Sequence, residues 1–138
     1  MRILLIILLL AGPMMSAFAQ ALPDAVLGEW LTPRKDSRIQ IYREGSQYFG
    51  KVVWGSGATK DEKNPDPALQ NRALVGLVML NNLKFDGTDT WANGTIYDPR
   101  EGKTYACKMA LNDARSLRVR GYIGVSLFGR TEVWSRVR

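Results

Sequence analysis

The sequence predicts an all-β protein: one antiparallel meander of about eight short strands that closes into a barrel, with a short helical turn in its one long loop. Three observations carry this expectation. Apolar residues recur at every second position almost everywhere along residues 20–138, which is the period of a half-buried strand and not of a helix. The segments between these runs are short and rich in Gly, Pro, Asn and Asp, so neighbouring strands should pair antiparallel. Residues 20–138 number 119, enough for one domain with one modest core.

The first element is not part of that domain. MRILLIILLLAGPMMSAFAQ has one basic residue, Arg2, an apolar run from Ile3 to Ala11, and the small residues Ala17 and Ala19 around Phe18. This is the pattern of a secretory signal peptide, too short to span a bilayer comfortably, and cleavage after Ala19 is expected in preference to an uncleaved anchor. An exported protein follows, periplasmic or secreted. The strands then come in order. Ile39 and Ile41 alternate with polar neighbours, and Tyr48, Gly50, Val52 and Trp54 are expected to share one face of YFGKVVW. Next are ALVGLVMLNNLKF (73–85), TWANGTIYD (90–98), KTYACKMAL (103–111), SLRVRGYIG (116–124) and RTEVWSRV (130–137), with EGS, DGT, DPREG and NDAR as turns. In the Asp98–Gly102 turn, Asp98 can bond the turn backbone, Pro99 fixes the first corner, and Gly102 supplies a positive φ. Sequential hairpins favour an up-and-down barrel over a sandwich, and eight strands leave room for a packed interior or one small ligand.

The long exception is GSGATKDEKNPDPALQNR, residues 55–72. Loops of this length in a compact domain tend to be functional or mobile. Asp66 followed by Pro67 is a good N-cap and first-turn pair, so a helical turn is expected over Ala68 to Arg72, as a lid across one end of the barrel.

The formal charge of +6 falls to +5 without Arg2, a surface that favours anionic neighbours. Nucleic acid is not an expected partner, because the basic residues are scattered. The single cysteine, Cys107, can make no internal disulfide; alternating with Tyr105, Met109 and Leu111, it reads as a small buried apolar residue. The chain has no histidine, which removes the commonest general base, and no nucleophile or phosphate-loop motif is present. The expectation is therefore a protein that is not an enzyme, with no catalytic residue and no cofactor. Asp61, Glu62, Asn64 and Asp66 offer oxygens, but their spacing matches no calcium loop and Lys60 and Lys63 sit among them, so a solvated loop is expected and no metal.

Several stretches resemble a known family. Gly28-Glu29-Trp30, NPDPALQNR, the VGL at 75–77, IYDPREGKTYACK at 96–108 and LRVRGYIGVSLFGRTEVWSRV at 117–137 are similar to a widespread set of small exported bacterial proteins, a domain of unknown function with a lipocalin-like β-barrel. The resemblance implies a fold and a location, and no activity. In lipocalins a Gly-x-Trp on the first strand packs beneath the barrel against an Arg of the last strand. Gly28 with Trp30 matches the first part and Arg136 is the candidate for the second, a structural closure worth roughly 0.5–2 kcal/mol. Some members carry further cysteines near the long loop; this chain has none there.

Two readings of the function follow. In the first, the barrel binds a lipid or small apolar carboxylate. Arg120-Gly121-Tyr122 resembles the Arg-x-Tyr with which small intracellular fatty-acid carriers hold a carboxylate, so Arg120, Tyr122 and Arg118 are the candidate anchors, with Trp54, Trp91 and Tyr97 as walls. The opposing orientation turns Leu117 and Val119 inward and leaves both arginines in water. In the second reading the barrel is filled, and its basic outer face, Arg118, Arg120 and Arg130 among others, meets an anionic membrane surface or an envelope protein. A monomer is expected in either case.

Overall fold

The computed structural model describes Gly12 and residues 21–138. Apart from Gly12, the expected signal peptide and its cleavage point at Ala19 lie outside the described residues. A 3-10 turn, Pro23–Val26, precedes eight strands: β1 (Gly28–Leu31), β2 (Ser37–Glu44), β3 (Gln47–Gly55), β4 (Val78–Phe85), β5 (Thr90–Asp98), β6 (Lys103–Asp113), β7 (Ser116–Tyr122) and β8 (Gly129–Arg136). Each strand pairs with the next, and β8 returns to β1, so the sheet is a closed barrel in sequence order. All pairs are antiparallel. Closure removes the unpaired edges that a flat meander of this size would expose.

The two-residue alternation does what the sequence predicts on most strands. Ile39 and Ile41, Tyr48 and Val52, Cys107 and Met109, Leu117 and Val119 are all buried. One departure matters. The β2–β3 register passes from Ile39↔Val52 to Arg38↔Trp54, so Val53 is an extra residue on β3. The bulge reverses the facing of whatever follows it. Trp54 therefore does not share the inner face of Tyr48, Gly50 and Val52. It stands on the outside, 40% exposed, with the Arg38 guanidinium 5.3 Å from its ring centre.

One end of the barrel is plugged. The Pro23–Val26 turn lies across it, held by two indoles: Trp30 Nε1 donates to the Val26 carbonyl and Trp91 Nε1 to that of Pro23, both at 3.0 Å. Phe85 and Tyr48 pack on Trp91, and the Tyr48 hydroxyl donates to Asp24 at 2.7 Å. Trp91 is thus floor and not cavity wall, with all of its area spent on packing.

Arg136 fastens the plug. Its guanidinium carbon sits 4.3 Å from the Trp30 ring centre. Its nitrogens donate to the carbonyls of Leu27 at 2.8 Å, Ala25 at 2.6 Å and Ala114 at 2.6 Å. Gly28 makes the approach possible: its φ is +133°, and a Cβ there would come within 2.8 Å of Arg136 Nη1. The direct β1–β8 ladder is only Trp30↔Arg136 and Leu31↔Ser135. It is extended by Glu29 N–H donating to the Arg138 carbonyl and Val137 N–H to the Glu29 carbonyl, each at 2.7 Å, and by an Arg138–Glu29 ion pair at 2.9 Å.

Cys107 is fully buried, and burial pushes its thiol up to about 12. Truncating Arg136→Ala orphans three carbonyls and uncovers the indole; the expected loss is about 2–4 kcal/mol of unfolding free energy, read from urea melts, with Arg136→Lys recovering only part of it. Cys107 should resist alkylation by iodoacetamide at pH 8 in the native protein and react at once in urea.

Candidate functional site

The end opposite the plug is open. It is surrounded by the β1–β2, β3–β4, β5–β6 and β7–β8 connections, and a cavity of about 820 Å³ runs down from it into the barrel. Its inner wall is apolar, formed by Ile39, Val52, Met79, Ile96, Val119 and Trp134. Ile39, Val52, Met79 and Ile96 come from the mouth-side halves of their strands, Val119 from the middle of β7, and Trp134 lies deeper, while the plug side is filled by Trp30, Trp91, Leu83 and Met109. The barrel is packed at one end and hollow at the other, so the filled interior of the second reading is not what the structure has.

Around the mouth the lining turns polar. Arg100 approaches Asp98 and Glu132 at 3.6 Å each, and Arg130 approaches Asp98 at 3.9 Å and Glu132 at 3.4 Å. Trp134 Nε1 donates to Glu132 from below at 3.2 Å. All four ion pairs are longer than the roughly 2.7–2.9 Å of a direct charge-assisted hydrogen bond. Each guanidinium has five N–H donors, so neither fork is saturated by its acidic neighbours. Lys60, Lys63, Glu62 and Arg34 complete the rim.

One wall of the mouth is the β3–β4 connection, and its shape comes from Asp61. This carboxylate is fully buried. It accepts from Asn64 Nδ2 at 2.9 Å, Arg72 Nε at 2.8 Å and the Tyr97 hydroxyl at 2.5 Å. Burial alone opposes its ionisation, but these donors and the charge of Arg72 outweigh it and hold the carboxyl below its ordinary 3.8. Tyr97 responds in the opposite sense: burial and the neighbouring carboxylate push its phenol up to about 12.

The Asn-Pro-Asp-Pro stretch organises the same latch. Asn64 Oδ1 accepts the Asp66 N–H and its carbonyl accepts from Gln70, each at 2.9 Å. Asp66 caps the Ala68 N–H at 3.0 Å, and Pro67–Leu69 form one 3-10 turn. A helical turn is thus present in the long loop, but over Pro67–Leu69 and not Ala68 to Arg72, and it does not cover the mouth as a lid. The Gly57–Lys63 arm is what lines the cavity, and the Pro67–Leu69 turn stands clear of it.

The β5–β6 turn locks against that arm. Gly102 has a φ of +67°, and a Cβ at this position would collide with the Lys63 carbonyl. Asp98 accepts the Arg100 N–H at 2.9 Å with its side chain and the Gly102 N–H at 2.8 Å with its carbonyl. The predicted turn chemistry of Asp98 and Gly102 thus shapes the rim, and the Asp98 carboxylate also takes part in its charge ring.

The sequence-predicted ligand residues are dispersed. Tyr97 borders the cavity but is engaged by Asp61, and Tyr122 reaches the rim. Arg118 and Arg120 lie on the outer face, because Leu117 and Val119 occupy the inner one. Arg120 is bound to the β7–β8 loop, donating to the Ser126 carbonyl through Nε at 2.8 Å and Nη2 at 2.5 Å, and to Thr131 Oγ1 at 2.9 Å. The Arg-x-Tyr likeness fails on alternation: both of its side chains follow inward Val119 by an odd number of residues. Trp54 is outside and Trp91 is floor, for the reasons given above.

Arg100 and Glu132 were not among the expected residues, and Arg130, expected on the basic outer face, stands on the inner one at the rim. Their signal was the two-residue step from Trp134 to Glu132 to Arg130 along β8, which places all three on the inner face. Among the described residues, no three acidic, cysteine or histidine side chains gather into a group able to hold a metal ion.

A closed eight-stranded meander, plugged by an Arg–Trp stack and hollow at the other end, is a lipocalin-type barrel. The chain belongs to the family described as "Uncharacterized protein conserved in bacteria (DUF2147)", which matches residues 28–136. A solved structure of HP1028 from the human pathogen Helicobacter pylori, described as belonging to the lipocalin family, is similar, with a TM-score of 0.74 and 26% sequence identity over 81% of this chain and 82% of that one. No curated protein matches the chain.

The latch gives a signed pH dependence. Since the folded-state carboxyl of Asp61 lies below 3.8, its stabilisation is present above that value and is lost as pH falls through the folded pKa. Since Tyr97 is raised from 10.0 to about 12, its share is present below 10 and is lost as pH rises through 12. Melting temperatures of Asp61→Asn and the unsubstituted protein should differ by a constant amount from about pH 5 to 9, with the difference shrinking in more acidic buffer.

Proposed function

We propose that the protein is an exported, monomeric carrier that takes one amphiphile, a lipid or small apolar carboxylate, with its apolar body in the barrel and its head at the Arg100–Arg130 rim. The observation that carries this reading is the cavity itself. At about 820 Å³ it falls within the roughly 300–1,000 Å³ range of small-molecule sites, with apolar walls and a few convergent polar groups. A ligand carboxylate at the mouth would meet two guanidinium forks whose ion pairs all exceed 3.3 Å. It could add to them without displacing a saturated partner.

Export is supported by the Arg2, Ile3–Ala11 and Ala17–Ala19 pattern. The lipocalin-type fold supports a binding role in preference to a catalytic one. The anchors in this reading are Arg100 and Arg130 in place of Arg118 and Arg120, and Trp134 and Tyr105 replace Trp54 and Trp91 as aromatic lining.

The test is a thermal-shift and native mass-spectrometry panel of fatty acids, fatty alcohols and phospholipids. A ligand present at about a hundredfold its Kd stabilises the folded state by about 2.7 kcal/mol, so a matching amphiphile should raise the melting temperature by several degrees. Val119→Trp, which puts an indole into the cavity, should abolish the shift. Arg100→Gln with Arg130→Gln should weaken fatty acids while leaving fatty alcohols little changed. A panel with no shift, or an unaffected Val119→Trp variant, would overturn the proposal.

A further inference from the structure

The β7–β8 loop displays apolar side chains that the barrel does not use. Ile123, Val125, Leu127 and Phe128 are 69%, 57%, 81% and 69% exposed. They sit within six residues at the tip of one connection, at the rim of the cavity, to whose lining Ile123 and Phe128 contribute. Across the mouth, Val75 of the β3–β4 connection is also exposed and lines the same opening.

This is a shaped loop. Ile123 N–H donates to the Phe128 carbonyl at 3.1 Å and Phe128 N–H to that of Val125 at 3.0 Å. Arg120 grips the Ser126 carbonyl from the β7 side. The polar backbone at the tip is thereby tied inward, and the apolar side chains are left exposed, Val125 and Leu127 clear of the cavity and Ile123 and Phe128 at its edge.

Charge completes the pattern. From Ser116 to Thr131 the chain carries Arg118, Arg120 and Arg130 and no acidic residue. The nearest rim acids, Asp98 and Glu132, are turned toward Arg100 and Arg130.

We infer that the Ile123–Phe128 loop is a membrane-insertion tip, which seats the open mouth of the barrel on an anionic phospholipid surface. Exposed apolar tips flanked by arginines suit the boundary between acyl chains and acidic headgroups, where each half finds its own solvent. A protein partner fits less well, since a few tips on one loop fall short of the roughly 800 Å² and 20–30 residues a side of a stable interface. The inference extends the carrier reading: a mouth pressed to a bilayer lets an amphiphile pass between lipid and cavity without crossing water.

The test separates the two proposals. Vesicle co-sedimentation uses ligand-free protein with phosphatidylglycerol–phosphatidylethanolamine and with phosphatidylcholine vesicles; cavity binding is measured apart, with a soluble fluorescent fatty acid and no vesicles. The unsubstituted protein should bind the anionic vesicles at least tenfold more tightly than the neutral ones, and less tightly as salt is added. Val125→Ser with Leu127→Ser, neither of which lines the cavity, should lose at least tenfold in vesicle binding while keeping its melting temperature and its fatty-acid affinity.

Leu127→Cys carrying an environment-sensitive fluorophore should shift to the blue on anionic vesicles, the native Cys107 being buried. Absence of vesicle binding, binding indifferent to the Val125 and Leu127 changes, or a dimer in size-exclusion chromatography that those changes abolish would each overturn the inference. Loss of fatty-acid binding alone would count against the carrier and leave the membrane contact standing.

Discussion

A barrel of eight strands has to be joined once, and here the join is thin. Two residue pairs link β1 to β8 directly, against seven or eight pairs along β2–β3 and β7–β8. Backbone bonds between Glu29 and both Val137 and Arg138 extend the join, and the Arg136 guanidinium ties it to the plug. It places a planar cation on Trp30 and draws together the N-terminal turn, the β6–β7 connection and β8 through three carbonyls. A lysine has one nitrogen for a task that needs three directions at once. The plug, the closed sheet and therefore the existence of an enclosed interior all depend on that one side chain being shielded on its aromatic face and hydrogen-bonded around its edge.

The polarity of the molecule along its axis follows. The large aromatic side chains of the lower half, Trp30, Trp91 and Tyr48, meet each other or the Pro23–Val26 turn and leave no space. On the other side of the middle layer the inward positions are taken by Val52, Met79, Ile96 and Val119, which are too small to meet across the barrel. The cavity is thus a consequence of side-chain size distribution along the strands, at constant strand number. Its mouth is shaped by a second polar centre, Asp61, which fixes a long breaker-rich segment through Asn64, Arg72 and Tyr97. A half-buried guanidinium closes the bottom and a buried carboxylate frames the top.

The strand pattern was legible because side-chain facing repeats every two residues whatever the tertiary context, and the turns carried their own chemistry at Asp98 and Gly102. The Trp30–Arg136 contact could be anticipated only through resemblance, since the two lie 106 positions apart. What alternation cannot announce is its own interruption. The extra residue at Val53 reversed Trp54, and no composition signal marks a bulge among Lys51, Val52 and Val53. Strict alternation from Val119 places Arg120 outside, as the structure has it; the short likeness to a carboxylate-binding motif pointed the other way. Asp61 read as one more charge in a solvated loop, because its partner Tyr97 is 36 residues distant. Sequence reports which residues could bury a carboxylate, and only the folded chain reports which of them is met by three donors.

Cys107 lies in the closed wall between β5 and β7, paired by register with Gly94 and Gly121, and its sulfur makes one long contact, to the Lys108 carbonyl at 3.9 Å. Nothing in this architecture calls for electrons to be withdrawn during maturation. The domain is therefore indifferent to redox poise: it can reach the same shape in a reducing or an oxidising milieu, with no oxidase to form a bond and no isomerase to correct one.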